Sequence, residues 1–109
     1  MKIIFCLVSV VMFFSIKSVA ANIAGQGACR SSAFKSGYGI DSARSACSDV
    51  KSDGEGHCRG GAFEAGYGID NARIACMDVK SIDDGICRSG AFKSGYGIDS
   101  ARSACRDLK

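Results

Sequence analysis

The 109-residue chain contains no proline, no tryptophan and a single histidine, His57. Beyond residue 20 it has one leucine, Leu108, and most of its remaining apolar content is alanine. Chains this small bury only a modest fraction of their surface, so covalent staples often supplement the core. Charge is thin as well. Lys and Arg number 14 against 11 Asp and Glu, and setting aside Lys2 and Lys17 in the N-terminal segment leaves 12 against 11. A mature net charge near +1 excludes a strongly basic surface, and with it nucleic acid and anionic membrane as partners. A nuclear or cytosolic enzyme with a large buried core is excluded too.

The longest apolar run, residues 3–16, is too short for a transmembrane helix, which takes about 20 apolar residues. Lys2 stands ahead of it and Ser18-Val19-Ala20 behind it. That order reads as a secretory signal over 1–20, removed on export, with no stable membrane insertion afterwards. The expected product is secreted, extracellular or periplasmic. Cys6 leaves with the signal, and Cys29, Cys47, Cys58, Cys76, Cys87 and Cys105 remain. An even number in a short exported chain predicts three disulfides formed in an oxidising compartment.

Those cysteines mark a repeat. Cys29, Cys58 and Cys87 are spaced by 29 residues, as are Cys47, Cys76 and Cys105. The units read CRSSAFKSGYGIDSARSAC, CRGGAFEAGYGIDNARIAC and CRSGAFKSGYGIDSARSAC, and the first and third differ only at Ser32 against Gly90. The chain therefore divides into a signal (1–20), an N-terminal extension (21–28) and repeats over 29–57, 58–86 and 87–109, the last truncated. With so little apolar material per unit, stacked units are favoured over independent beads.

Within a unit two readings compete. A continuous helix gives a heptad-like stripe through Cys29, Ala33, Ser36, Ile40, Ala43 and Cys47. It also places Gly37 and Gly39 in mid-helix, at about 1 kcal/mol each, and holds the two cysteines too far apart to bond. Breaking the helix at Gly37-Tyr38-Gly39 instead uses glycine where a helix end needs left-handed backbone. Asp41, Asp70 and Asp99 then read as N-caps of second helices. Ala43, Ala46, Cys47 and Val50 follow with amphipathic spacing. Tyr38 lies midway between Cys29 and Cys47, so a fold about it brings them level. The expected pairs are Cys29–Cys47, Cys58–Cys76 and Cys87–Cys105. Pairing across the connectors, Cys47–Cys58 and Cys76–Cys87, is the rival that the sequence leaves open. The predicted fold is all-α: three short disulfide-stapled αα-hairpin repeats of 29 residues, stacked as a small solenoid.

The run FKSGYGIDSARSAC resembles the turn and second helix of Sel-like repeats, relatives of tetratricopeptide repeats. Phe34, Gly37, Gly39, Ile40, Ala43 and Ala46 match that order, as do Phe63 to Ala75 and Phe92 to Ala104. Secreted cysteine-rich members with one disulfide per hairpin are more similar still, although the repeats here are shorter. The resemblance implies an α/α solenoid used for protein–protein binding.

Candidate sites follow from the same frame. Tyr38, Tyr67 and Tyr96 sit at the predicted turn tips, where they either line one contact edge or fold down over their own hairpins. Lys35, Glu64 and Lys93 occupy one equivalent position beside them and complete the candidate binding edge. Arg44, Arg73 and Arg102 stand three residues after Asp41, Asp70 and Asp99, in reach of a local salt bridge. Ile74 replaces a serine found at 45 and 103, either as an isolated surface side chain or packed between units. His57 adjoins Cys58, but no other unit repeats it, and the cysteine spacings differ from the Cys-x₂₋₄-Cys of zinc sites. The Gly-x-Gly turns lack the strand and third glycine of a dinucleotide fingerprint. No catalytic residue, metal site or cofactor is expected, and the chain does not read as an enzyme.

These features point to a secreted, non-catalytic binding module whose partner is a protein or glycan, with avidity from repetition. A small defence peptide, antimicrobial, toxin-like or a multi-headed inhibitor, is the alternative. The near-neutral charge counts against membrane disruption.

Overall fold

A computed structural model describes residues 24–108; the expected signal over 1–20 lies outside the described residues. All regular structure among them is helical: α1 over 24–35, α2 Ile40–Cys47, α3 Asp53–Glu64, α4 Ile69–Cys76, α5 Ile82–Lys93 and α6 Ile98–Ala104. No strand occurs among the described residues.

The glycine turns form as the sequence predicts. Gly37, Gly66 and Gly95 have φ of 97°, 96° and 95°, left-handed backbone that a residue with a β-carbon adopts only under strain. Each closes a Schellman-type end: the amide of Tyr38 donates to the Ala33 carbonyl at 3.0 Å and that of Gly37 to Phe34 at 3.0 Å. Asp41, Asp70 and Asp99, however, are not N-caps. Gly39, Gly68 and Gly97 take that position in extended backbone, with no side-chain cap bond. The helix begins two residues earlier than the aspartate pattern predicts, because the glycine carbonyl already accepts from Ala43 at 2.9 Å. The aspartates fall in the first turn, where their charge still complements the helix dipole.

The stretches 48–57 and 77–86 are more than connectors, since α3 and α5 start well ahead of Cys58 and Cys87. Ser52 accepts from the Glu55 amide at 3.1 Å while Glu55 Oε1 accepts from the Lys51 amide at 3.1 Å. Ser81 and Asp84 repeat the arrangement, with Asp84 reaching Lys80. This is a variant of the reciprocal capping box, and it starts two glycine-bearing helices that propensity alone disfavours.

Disulfides join α1 to α2 (Cys29–Cys47), α3 to α4 (Cys58–Cys76) and α5 to α6 (Cys87–Cys105), with Cα–Cα distances of 5.8, 5.7 and 5.9 Å. The bond lies within each helix pair, and the rival pairing across the connectors is not formed. Around the staples a core of Ala33, Ala43, Ala46, Ala62, Ala72, Ala75, Val50, Phe63 and Phe92 is buried.

Small residues let the first helices of successive pairs touch through their backbones. A β-carbon on Gly56 would collide with the backbone of Gly25, and one on Gly85 with that of Gly54. Gly60 faces Ser32 and Gly61 faces Ser89, so α3 meets a neighbour on each side. That double contact explains why the middle unit carries Gly-Gly where the others keep at least one serine.

Candidate interaction surface

Each turn tyrosine is placed by the glycine turn before it and by the helix of the following pair. Tyr38 packs on Phe63 with ring centroids 5.3 Å apart at 58°, and Tyr67 on Phe92 at 5.2 Å and 55°. The Tyr38 hydroxyl donates to the Tyr67 carbonyl at 3.2 Å, and the Tyr67 hydroxyl to the Tyr96 carbonyl at 3.1 Å. Tilted aromatic pairs of this kind contribute about 0.5–1.5 kcal/mol beyond their area burial. Tyr38 and Tyr67 are half-buried by these contacts, whereas Tyr96 is 57% exposed. Two of the three rings therefore pack neither on a free edge nor on their own hairpin but on the next unit.

Lys35, Glu64 and Lys93 are all exposed. Glu64 accepts from the Ser32 hydroxyl at 2.8 Å and stands 3.8 Å from Lys93 Nζ, so the sign change in the middle unit links it to both neighbours. Lys35 has no such carboxylate beside it among the described residues.

Beside Tyr38 a surface cleft of about 570 Å³ opens between the turn of the first pair and the start of α4. Tyr38, Ser42, Gly68, Ile69, Asp70 and Asn71 line it. It combines an aromatic face and an aliphatic side chain with hydroxyl, amide and carboxylate groups. The uncapped amides at the start of α4 add donors.

The ends of α2 and α4 are held by charge that the sequence reading missed. Arg59, 1% exposed, donates to Asp49 at 2.6 and 3.1 Å, to Glu55 at 2.7 Å and to the Ala46 carbonyl at 3.0 Å. Arg88 does the same with Asp78, Asp84 and the Ala75 carbonyl. Arg73 and Arg102 do reach Asp70 and Asp99, at 3.2 and 3.5 Å, and Arg44 comes within 3.9 Å of Asp41. Arg73 and Arg102 also bridge to Asp49 and Asp78, at 3.0 and 3.2 Å. The Arg59 hydrogen bond holds the Asp49 carboxyl at about 2, against an ordinary 3.8. Asp78 is lowered too, since Arg88 and Arg102 outweigh its desolvation. For Arg59 and Arg88 burial pulls downward, and the carboxylates more than offset it, so both are raised. The sequence signal was present: an arginine follows the first cysteine of every unit, and an aspartate stands two residues after the second.

His57 Nε2 lies 3.3 Å from Asp53 one turn earlier, both partly exposed. Among the described residues no group of three or more His, Cys, Asp or Glu side chains is placed to hold a metal ion. Ile74 is 52% exposed, and its carbonyl accepts from Arg102 at 3.4 Å. No described helix is long and apolar enough to cross a membrane. No family model matches this chain, and no curated protein or solved structure does either.

Proposed function

We propose that the protein is a secreted, non-catalytic binding module: three 29-residue disulfide-stapled αα-hairpins stacked as a small solenoid, engaging a protein or glycan along the turn edge. The cleft lined by Tyr38, Ser42, Ile69, Asp70 and Asn71 carries this reading, because it offers a half-buried ring and several hydrogen-bonding groups on one rigid surface. Exposed Tyr96, Lys35 and Glu64 extend the edge on either side. Intra-unit disulfides support an oxidising destination. The Sel-like likeness of the turn and second helix agrees with protein binding.

The test is binding of the oxidised protein to arrays of glycans and of extracellular proteins, beside an Asn71→Arg variant that fills the cleft. Asn71 is exposed, so the variant keeps its helical circular dichroism. Selective binding lost in Asn71→Arg supports the reading. Binding unchanged in the variant, or none on either array, overturns it. Bacterial growth inhibition or vesicle leakage at micromolar protein would move the assignment to a defence peptide.

A further inference from the structure

Every contact that joins one unit to the next has two halves, and among the described residues the first and third units each keep one half unused. We propose that the outer face of the first unit is a docking site for the third unit of a second copy, so that copies associate head to tail. The inference concerns the ends and does not depend on the turn-edge cleft.

The aromatic halves match. Phe63 and Phe92, each 2% exposed, are covered by the tyrosine of the preceding unit, while Phe34 has none and is 49% exposed. Tyr96 is 57% exposed, and no ring pairs with it among the described residues. Ile40 is also 69% exposed, so the first unit lacks the polar outer face that keeps repeat arrays soluble.

The charged halves are opposite in sign. Arg59 and Arg88 reach back to the aspartate and carbonyl ending the preceding pair. Arg30, in the same position, has no carboxylate partner among the described residues and reaches only Gln26, at 3.5 Å. At the other end Asp107 stands where Asp49 and Asp78 stand, exposed, beside an exposed Ala104 whose counterparts Ala46 and Ala75 are buried. The backbone halves agree as well. Gly56 and Gly85 press on the preceding helix, whereas none of the described residues approaches the equivalent Gly27 within 4 Å.

Two residues oppose the joint. Asp83 replaces the glycine of positions 25 and 54, whose missing β-carbon makes room for the Ser52 and Ser81 carbonyls. Lys93 would face Lys35 where Lys93 itself faces Glu64. The joint between copies is accordingly weaker than the joint within the chain. Being heterologous, it extends rather than closes.

Sedimentation of the oxidised protein, exported by an expressing cell, over about 10 μM to about 1 mM tests it. The average mass should climb with concentration. Arg30→Glu and Asp107→Arg should each weaken association about tenfold, and Asp83→Gly should strengthen it. An equimolar mixture of the two charge variants should associate again. In it the introduced glutamate of one variant meets the introduced arginine of the other, and the unaltered Arg30 and Asp107 also meet. Asp107 and Asp83 are exposed, so those variants fold even if Arg30→Glu does not. A constant monomer mass throughout, including Asp83→Gly, overturns the proposal. Association that ignores Asp107→Arg overturns it equally.

Discussion

Arg59 and Asp49 belong to different disulfide-closed pairs, and their side chains meet in a two-point ion pair across the boundary, Nη1 to Oδ1 at 2.6 Å and Nη2 to Oδ2 at 3.1 Å. The guanidinium is buried among Asp49, Glu55 and the Ala46 carbonyl, so it closes the end of α2 and the start of α3 together. Such a cluster gives direction to an interface otherwise made of glycine, serine and alanine.

Arg59→Ala is expected to destabilise the oxidised protein by about 3–5 kcal/mol, because it leaves Glu55 buried without its partner. Arg59→Lys recovers only part of this, since an ammonium lacks the planar two-point fork. Urea denaturation followed by circular dichroism measures both. A loss below about 1 kcal/mol for the alanine variant would show that the cluster adds little beyond the disulfides.

Acid should loosen the same boundary. The Asp49 carboxyl is depressed from 3.8 to about 2, so it contributes stability above about pH 4 that is lost as the pH falls through about 2. Asp78 shifts in the same direction. With the Asp49 side chain 43% exposed, solvent screening reduces its share to about 1 kcal/mol. Thermal unfolding of the oxidised protein at several pH values from about 7 to about 2 should show a plateau and then a fall. Asp49→Asn should flatten that fall.

The sequence made the turns legible because positive-φ glycine has a local cause: Gly37, Gly66 and Gly95 each close one helix shortly before the next begins. The disulfide partners were legible by symmetry about Tyr38, once the rival pairing is set aside. The candidate surface was only partly legible. Tyr38 and Tyr67 read either as edge residues or as packers on their own hairpins, and their true partners, Phe63 and Phe92, lie a unit away. Arg59 passed unnoticed because its ligands Asp49 and Glu55 lie outside its repeat or within a presumed connector. Contacts between units are set by which faces meet, and a one-dimensional repeat states only that the faces are alike.

Glycine at two equivalent positions should respond oppositely to substitution. Gly56→Ala puts a β-carbon onto the backbone of Gly25, where nothing flexible can give way, and is expected to cost about 2–3 kcal/mol. Gly27→Ala meets none of the described residues within 4 Å and should stabilise α1 by up to about 1 kcal/mol through reduced chain entropy. Melting curves of the two variants measured side by side decide the matter. Equal behaviour would mean that α1 and α3 do not approach through Gly25 and Gly56.

The staples set the last expectation. Helices of seven to twelve residues are marginal alone in water, and each bridge closes a loop between cysteines 18 residues apart. Loop-closure entropy assigns about 3 kcal/mol to a bridge of this size. The buried residues that remain are largely alanine, whose burial stabilises little per side chain. Reduction by a thiol should therefore remove most of the helical circular dichroism at 25 °C, and reoxidation should restore it. Tryptic mapping without reduction should link Cys29 to SACSDVK, and Cys58 in SDGEGHCR to IACMDVK. Links between SACSDVK and SDGEGHCR, or full helicity after reduction, would mean that the pairs are held by something other than the bridges within them.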